Sequence, residues 1–152
     1  ANGELPSLSQ VDQAALIERY RVPVPRLILG AELGGLATAC IDISDGLVSD
    51  VGHICAASSV GCTIDAASVP LSSAATAVVS SDGLVLPTLL TGGDDYELAF
   101  AVRQGAENDV IAISEKVGVP VTRIGTFESG KGVKVFDQNG KAMAFTETGY
   151  KH

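Results

Sequence analysis

The feature that most constrains the fold is the alternation of two apolar patterns along the chain. Short runs of small and β-branched residues, which indicate buried strands, are separated by segments in which apolar residues recur at helical spacing. This alternation fills the first two thirds of the chain, and a β-rich segment follows it. We therefore predict an α/β sandwich, in which helices pack on a mixed β-sheet. The 152 residues are enough for one domain, and its core is built from Val, Ile, Leu and Ala because Trp is absent.

The clearest helical pattern follows Gly46. Its apolar face consists of Leu47, Val48, Val51, Ile54 and Cys55. His53 lies off that face, so we expect it to be exposed or at an interface rather than catalytic. The other predicted helices lie at 10–20 (capped by Ser9), 27–36 (with a buried turn as the alternative), 72–80 and 107–117. The predicted strands lie at 37–43, 61–69, 96–102 and 121–127, and a hairpin joins 133–136 with 143–145 around Asn139-Gly140. In the last helix we expect Val110, Ile111 and Ile113 to face the core.

Composition excludes several classes of partner and compartment. Eighteen acidic and ten basic residues give a formal net charge of −8, which would repel a phosphate backbone, so we expect no nucleic-acid partner. Cys40, Cys55 and Cys62 form neither a CxxC pair nor an even set, which predicts buried free thiols in a reducing cytosol. The chain shows neither the pattern of a signal peptide nor an apolar run as long as a membrane span. We therefore expect a soluble, cytoplasmic protein that does not bind membranes.

Two acidic clusters lie where a predicted core strand meets a turn, and the first is Asp42-Ile43-Ser44-Asp45-Gly46. Alternation along the strand places Asp42 and Ser44 on one side, and the turn can bring Asp45 back toward them. Neighbouring carboxylates repel unless a cation lies between them, and Mg²⁺ prefers such oxygen ligands. The helix start at this point also favours a phosphate oxygen. The pattern leaves open that Ser44 or Asp45 only caps the helix and that Asp42 only ends the strand.

The second acidic cluster is Gly92-Gly93-Asp94-Asp95-Tyr96-Glu97. Paired glycines let the backbone approach a ligand closely or adopt a positive φ. Three carboxylates within four residues are unfavourable to gather unless they are solvated, or bound to a cation or to donor groups. Glu97 stands at the edge of an otherwise apolar strand, which favours a functional role. An ordinary Gly-Gly-Asp turn that leads into the strand is the alternative.

Other kinds of site have little support in the sequence. There is no serine in a G-x-S-x-G elbow, and one of the two histidines is the last residue, so nothing points to nucleophilic catalysis. Neither a Walker A string nor G-x-G-x-x-G occurs. Tyr150 is compatible with a loose tail or with an aromatic residue that stacks on a ligand, and the residues alone favour the tail.

Several shorter strings accompany the two clusters in a fixed order. The full set is Pro25-Arg26, Gly30, Ala39-Cys40-Ile41-Asp42-Ile43-Ser44-Asp45-Gly46-Leu47, Val69-Pro70-Leu71, Leu90-Thr91-Gly92-Gly93-Asp94-Asp95-Tyr96-Glu97-Leu98 and Ile124-Gly125. These strings resemble the C-terminal half of the thiamine-monophosphate kinase family, in the aminoimidazole ribonucleotide synthetase superfamily. The resemblance covers nearly the whole chain, and the pair D-I-S-D-G-L and T-G-G-D-D-Y-E-L is far more specific than either string alone. It therefore favours the functional interpretation of both clusters.

The resemblance implies transfer of the γ-phosphoryl group of ATP to thiamine monophosphate, which gives thiamine diphosphate without a phosphoenzyme. Carried over to this chain, Asp42 and Asp45 would ligate Mg²⁺, and Ser44 would contact the phosphates of ATP. Glu97 would bind the thiamine part, and Tyr150 would pack on the substrate rings, which replaces its interpretation as a tail. Possible support for the loop comes from Gly92, Gly93, Asp94 and Asp95. The resemblance requires no catalytic acid or base.

One part of the family pattern has no counterpart in this sequence. It is the N-terminal half, which carries further metal-binding aspartates, most of the nucleotide site and the main dimer interface. We therefore predict that residues 1–152 are a C-terminal substrate- and metal-binding domain, with little or no activity without the N-terminal ATP-binding domain, in an enzyme that is a homodimer when complete. Two alternatives are another ATP-dependent enzyme of the same superfamily and a free-standing ligand-binding module without catalysis.

Overall fold

The computed structural model describes residues 8–145 and residue 149. The helices are α1 (Gln10–Arg21), α2 (Leu27–Glu32), α3 (Leu47–Ser58), α4 (Ser73–Ser81), α5 (Leu86–Thr91) and α6 (Glu107–Val117). The strands are β1 (Ala37–Asp42), β2 (Gly61–Asp65), β3 (Leu98–Val102), β4 (Gly125–Glu128) and β5 (Gly132–Phe136). Two 3₁₀ turns, Ala66–Ser68 and Gly83–Val85, follow β2 and α4.

The strands form two sheets. Strands β1 and β3 are an antiparallel pair, in which Cys40 lies opposite Phe100 and Asp42 lies opposite Leu98. In the second sheet the central strand β2 pairs antiparallel with β4 and parallel with β5. The predicted α/β class with a mixed β-sheet is confirmed, and within the described residues the strands divide into two sheets because β1 and β3 pair with each other and with no further strand.

Helix α3 connects the two sheets, because it contacts strands of both. Its buried residues Val48, Val51 and Cys55 pack in one apolar cluster with Ile64 of β2 and Val135 of β5. Each of these five side chains is at most 5% exposed, and full burial of such a side chain contributes about 1.5–3 kcal/mol. This packing fixes the start of α3, and with it the loop that leads from β1 into the helix.

Some predicted boundaries are wrong because local hydrogen bonds or glycines end the element early. The strand predicted to reach residue 69 ends at Asp65, whose side chain accepts the N–H of Ala67 and starts a 3₁₀ turn. The helix predicted over 27–36 ends at Glu32, and the turn that follows it contains Gly35 at φ +87°. The strand predicted over 121–127 begins only at Gly125, where β4 starts.

The prediction that Ile111 faces the core is wrong, since its side chain is 55% exposed.

The end of the described chain forms a turn rather than a full hairpin. Gly140 adopts φ +74°, as the predicted turn requires, but the second arm pairs with β5 only briefly, through the bridge between Phe136 and Ala142 and the N–H of Met143, which donates to the carbonyl oxygen of Val135 at 2.9 Å. The cysteines are free, as predicted, although Cys40 is exposed, whereas Cys55 and Cys62 are buried.

The helices in the described part of the chain are short. No single one of them is long and apolar enough to cross a membrane; α4 and the segment Gly83–Thr91 reach that length and composition only as a pair bent by 118°. Each of these two helices buries one residue in the fold, Ala74 in α4 and Leu90 in α5.

Candidate functional site

The first acidic cluster forms the connection between β1 and α3. Asp42 is the exposed last residue of β1, Ile43 is buried and Ser44 is exposed again, as the alternation of a strand requires. Asp45 is half-buried, and Gly46 precedes α3 at φ +117°. The structure therefore places Asp42 and Ser44 on the exposed side of the connection.

The residue that caps this connection is Asp50, which the sequence analysis did not identify. Its carboxylate is only 2% exposed, and its Oδ2 accepts the backbone N–H groups of Ser44, Asp45 and Gly46 at 3.0, 3.0 and 3.1 Å. The interpretation of Ser44 or Asp45 as the helix cap is therefore wrong. These three N–H groups also point at Asp50 rather than at an external phosphate. An acidic residue three positions after Leu47, on the packed face of α3, was the available indication.

The second acidic cluster lies directly against the first. The N–H of Asp94 donates to the carbonyl oxygen of Ser44 at 3.0 Å, and the N–H of Asp95 donates to that of Ile43 at 3.2 Å. In return, the N–H of Ile43 donates to the carbonyl oxygen of Glu97 at 2.9 Å. These bonds extend the pairing of β1 with β3 beyond the strand ends, so the two clusters are held side by side.

Two glycines permit this close approach. A Cβ at Gly93 would collide with the backbone of the first cluster, and a Cβ at Gly46 would lie 2.6 Å from the carbonyl oxygen of Thr91. Asp94 and Tyr96 adopt positive φ values of 66° and 56°. Such backbone conformations cost about 1–3 kcal/mol each in residues other than glycine, so the second cluster is a strained segment that its surroundings hold in place.

The electrostatics of the second cluster favour a cation. Partial desolvation raises the pKa of Asp95 to about 6, and the negative charge of Glu97 adds to this effect. The guanidinium of Arg19 opposes the increase, whereas Asp50 and Asp94 contribute to it. Acidic groups of the second cluster and Asp50 of α3 therefore act on one another, as expected where carboxylates converge.

The Glu97 carboxylate is engaged by two arginines. The Nη2 atom of Arg26 donates to Oε1 at 2.6 Å and its Nε donates to Oε2 at 2.8 Å. The Nη2 atom of Arg19 donates to Oε1 at 2.6 Å and also to the carbonyl oxygen of Asp95 at 3.1 Å. Hydrogen bonding to Glu97 raises the pKa of Arg26. The Glu97 side chain is still 44% exposed, so a ligand can reach it.

Three side chains near the start of α3 could share a metal ion. One ligand atom each from Asp45, Asp50 and His53 lies within 4.8 Å of the other two, and Asp42 is not part of this group. His53 is exposed, as predicted. Asp42, Ser44 and Asp45 carry oxygen donors, which are the ligand type that Mg²⁺ prefers.

Tyr150 lies outside the described residues. Gly149 is described, and it contacts the first cluster: a Cβ at this position would lie 2.5 Å from the Cβ of Ser49 and 3.0 Å from the carbonyl oxygen of Asp45. The chain immediately before Tyr150 therefore lies beside the first turn of α3.

Comparisons with known proteins agree with the sequence strings. The family model described as AIR synthase related protein, C-terminal domain, matches residues 4–138. The thiamine-monophosphate kinase of Salmonella typhimurium is 38% identical over 143 residues, which are 94% of this chain and 44% of that protein. The crystal structure of thiamine-monophosphate kinase from Stenotrophomonas maltophilia superimposes with a TM-score of 0.79 at 36% identity, over 92% of this chain and 43% of that one. A structure described as AaThiL complexed with AMPPCP and TMP gives a TM-score of 0.73 at 30% identity, over 96% of this chain and 43% of that one.

The chain spans less than half the length of the curated relatives it matches. Its resemblance to thiamine-monophosphate kinases, inferred from the two acidic clusters, is confirmed by relatives of that name. Since the family model covers nearly the whole chain, this chain belongs to the AIR synthase related protein, C-terminal domain, family.

Proposed function

We propose that this chain forms the substrate- and metal-binding part of an ATP-dependent thiamine-monophosphate kinase whose product is thiamine diphosphate. The observation that carries the proposal is the backbone pairing of the two acidic clusters, which holds Ser44 and its neighbouring aspartates beside Glu97. Relatives named thiamine-monophosphate kinase support the reaction. The related structure with AMPPCP and TMP supports a nucleotide and thiamine monophosphate as ligands.

In this proposal the first cluster binds the phosphates and their metal. Asp42 and Asp45 would hold Mg²⁺, and the hydroxyl of Ser44 would donate to a phosphate oxygen of ATP. When bound, Mg²⁺ neutralises phosphate charge that develops during transfer. The chain's own contribution is alignment, because phosphoryl transfer depends mainly on holding donor and acceptor in line. The γ-phosphoryl group passes directly to the acceptor phosphate, and no acid or base of this chain takes part.

The second cluster is assigned to the thiamine part of the acceptor. Glu97 attracts the cationic thiazolium ring, and Tyr150 stacks on the substrate rings. Support for these roles comes from the exposure of Glu97 and from the position of Gly149 beside Asp45. The supporting segment consists of Gly92, Gly93, Asp94 and Asp95, whose backbone contacts and turn geometry keep Glu97 next to the first cluster.

We also propose that the chain acts together with the additional length that its relatives have. Eight large apolar side chains between residues 11 and 28, which we call the apolar strip, are each at least 42% exposed. They are Val11, Leu16, Ile17, Tyr20, Val22, Val24, Leu27 and Ile28. An ATP-binding domain that covers this strip would complete the nucleotide site, in a cytoplasmic enzyme that is a homodimer. The chain alone would then have little or no kinase activity.

The test is formation of thiamine diphosphate from MgATP and thiamine monophosphate. We expect none from the chain alone, and turnover when it is joined to the N-terminal portion of the Salmonella typhimurium relative. In the joined protein Asp45→Asn should lower kcat about a hundredfold or more, because metal-held charge stabilisation is worth a few kcal/mol. Asp109→Asn, at an exposed carboxylate on α6, is the control and should leave kcat unchanged. A folded joined protein that binds MgATP but does not phosphorylate thiamine monophosphate would overturn the proposed function.

A further inference from the structure

The two arginines on Glu97 differ in how firmly they are held. Arg26 uses two nitrogens on both carboxylate oxygens, and its side chain is 23% exposed. Arg19 uses one nitrogen, which it shares between Glu97 and the carbonyl oxygen of Asp95, and its side chain is 37% exposed. A planar, two-point contact is stronger and more directional than a single shared one, so Arg19 is the more easily displaced of the two.

The helix that carries Arg19 is itself weakly anchored. Helix α1 has no buried residue; its most extensive contact with another helix or strand is with α4, where Ser73 donates to Asp12 at 2.9 Å, and Arg19 links it to Glu97. Segments that bury little apolar surface open at low free energy. Ion pairs whose side chains stay largely accessible to water contribute at most about 1 kcal/mol, and those of Arg19 and Glu97 are 37% and 44% exposed. Release of Arg19 from Glu97 therefore requires less free energy than release of Arg26.

A cationic ligand that binds Glu97 must compete with the two guanidinium groups for its carboxylate oxygens. Oε1 accepts from Arg19 and Arg26, and Oε2 accepts from Arg26, so the side of the carboxylate that faces Arg19 is occupied in the ligand-free chain. With Arg19 withdrawn, the pair of Glu97 and Arg26 is neutral, and Asp94 and Asp95 add negative charge in the same segment. A thiazolium ring can then take the side of the carboxylate that Arg19 leaves.

We propose that Arg19 holds, in the ligand-free chain, the place on Glu97 that the cation of the substrate takes, while Arg26 stays bound and positions the carboxylate. The proposal rests on the proposed function, since it takes Glu97 as the thiamine subsite. It adds a residue that tunes affinity for the cation without being a ligand of it. It also couples substrate binding to movement of α1.

The test compares thiamine and thiamine monophosphate binding, measured by calorimetry, in the wild-type chain and three arginine variants. Arg19→Gln should bind both ligands about three- to fivefold more tightly, because a competing ion pair of up to about 1 kcal/mol is removed. Arg26→Gln should bind both more weakly, because Glu97 loses its orientation. Arg21→Gln, on the same exposed helix and with the same change in net charge, should bind like the wild type. Amide exchange in α1 of the wild-type chain should become faster when thiamine is added.

The possible outcomes separate this proposal from the function on which it rests. A gain in affinity is not a result that damage to the fold would produce, so tighter binding by Arg19→Gln supports the proposal. Unchanged or weaker thiamine binding by Arg19→Gln overturns it, and the proposed function stands if the wild type binds and Glu97→Gln does not. Weaker binding of thiamine monophosphate alone would instead assign Arg19 to the phosphate group. If neither the wild type nor Arg19→Gln binds either ligand, the thiamine subsite and the role of Arg19 are both overturned.

Discussion

Asp50 combines burial, negative charge and three backbone hydrogen bonds in one side chain. The three N–H groups that it accepts belong to consecutive residues of the first cluster, so a single carboxylate sets the shape of that segment. A buried carboxylate is tolerable only when its oxygens are satisfied in this way. Asp50 is therefore a structural requirement for the positions of Asp45 and Ser44.

Replacement of Asp50 should destabilise the fold more than replacement of an exposed aspartate. Asp50→Asn keeps one oxygen acceptor but removes the charge, and hydrogen bonds to charged groups are worth about 1.5–3 kcal/mol. We expect Asp50→Asn to lower the free energy of unfolding in urea by about 2 kcal/mol or more. Asp109→Asn is the exposed control and should change it by less than about 0.5 kcal/mol. An Asp50→Asn variant as stable as the control would show that the charge of Asp50 does not hold the segment.

The raised pKa of Asp95 makes the stability of the fold fall as the pH rises. Between the ordinary value of 3.8 and the folded value of about 6, the folded chain keeps a proton that the unfolded chain releases. The contribution of Asp95 to stability is therefore most favourable below that window and falls as the pH rises through it. Asp95→Asn removes this ionisation, so the variant should exceed the wild type in stability above about pH 6, and the difference should shrink toward pH 4. Thermal unfolding of both proteins between pH 4 and pH 7 measures this difference in stability. A wild type more stable than Asp95→Asn at pH 7 would contradict the raised pKa.

At the level of the elements, the important contact is between the loop that leads into α3 and the segment that leads into β3. Hydrogen bonds join the two backbones, and Gly93 lies where any side chain would meet the first cluster. The strained residues Asp94 and Tyr96 follow directly. The relative position of the groups to which we assign metal and thiamine binding thus depends on one tight backbone contact.

Gly93→Ala should disrupt this contact. The added methyl group requires a shift of backbone on both sides, and overpacking of this kind costs about 1–3 kcal/mol. We expect a lower free energy of unfolding in urea and weaker Mg²⁺ binding by calorimetry. Gly83→Ala is a matched control, because a Cβ at Gly83 meets nothing within 4 Å and its φ is not positive. Equal stability and equal Mg²⁺ affinity in the two variants would show that the close approach at Gly93 does not position the site.

Sequence patterns were sufficient to predict a helix or its cap where the residues of that segment alone determine it. The stripe of α3 and the cap of α1 by Ser9 are local features, and both occur as predicted. Helix α5 was missed because Pro87 interrupts an apolar run, although proline is acceptable in a first helical turn.

The contacts that build the candidate site could not be predicted from local sequence patterns. Arg19 and Arg26 lie 78 and 71 residues from Glu97 along the chain, and no local pattern specifies which carboxylate an arginine reaches.

At the scale of the whole molecule, the distribution of exposed apolar groups is uneven. Most of the large apolar side chains that are exposed in the described residues belong to the apolar strip between residues 11 and 28. A concentration of exposed apolar side chains in one segment is typical of an interface. Because the relatives are more than twice as long as this chain, their additional portion is the partner that we expect to cover the strip.

A charged side chain in the apolar strip should therefore weaken binding of this chain to that additional portion without destabilising the fold. Leu27 is 75% exposed, so Leu27→Lys should change the free energy of unfolding by no more than about 0.5 kcal/mol. Its affinity for the separately produced N-terminal portion of the Salmonella typhimurium relative should fall about tenfold or more, since burial of a leucine side chain is worth about 1.5–3 kcal/mol.

Leu84→Lys is the matched control, because Leu84 is 85% exposed and lies outside the strip. It should bind the N-terminal portion like the wild type when both are titrated by calorimetry. Equal losses of affinity in the two variants would indicate a nonspecific effect of charge. Full affinity in Leu27→Lys would show that the N-terminal portion does not contact the strip at Leu27. A loss confined to Leu27→Lys would show that the strip is buried when the two portions meet, and would explain why a helix as exposed as α1 carries so many apolar side chains.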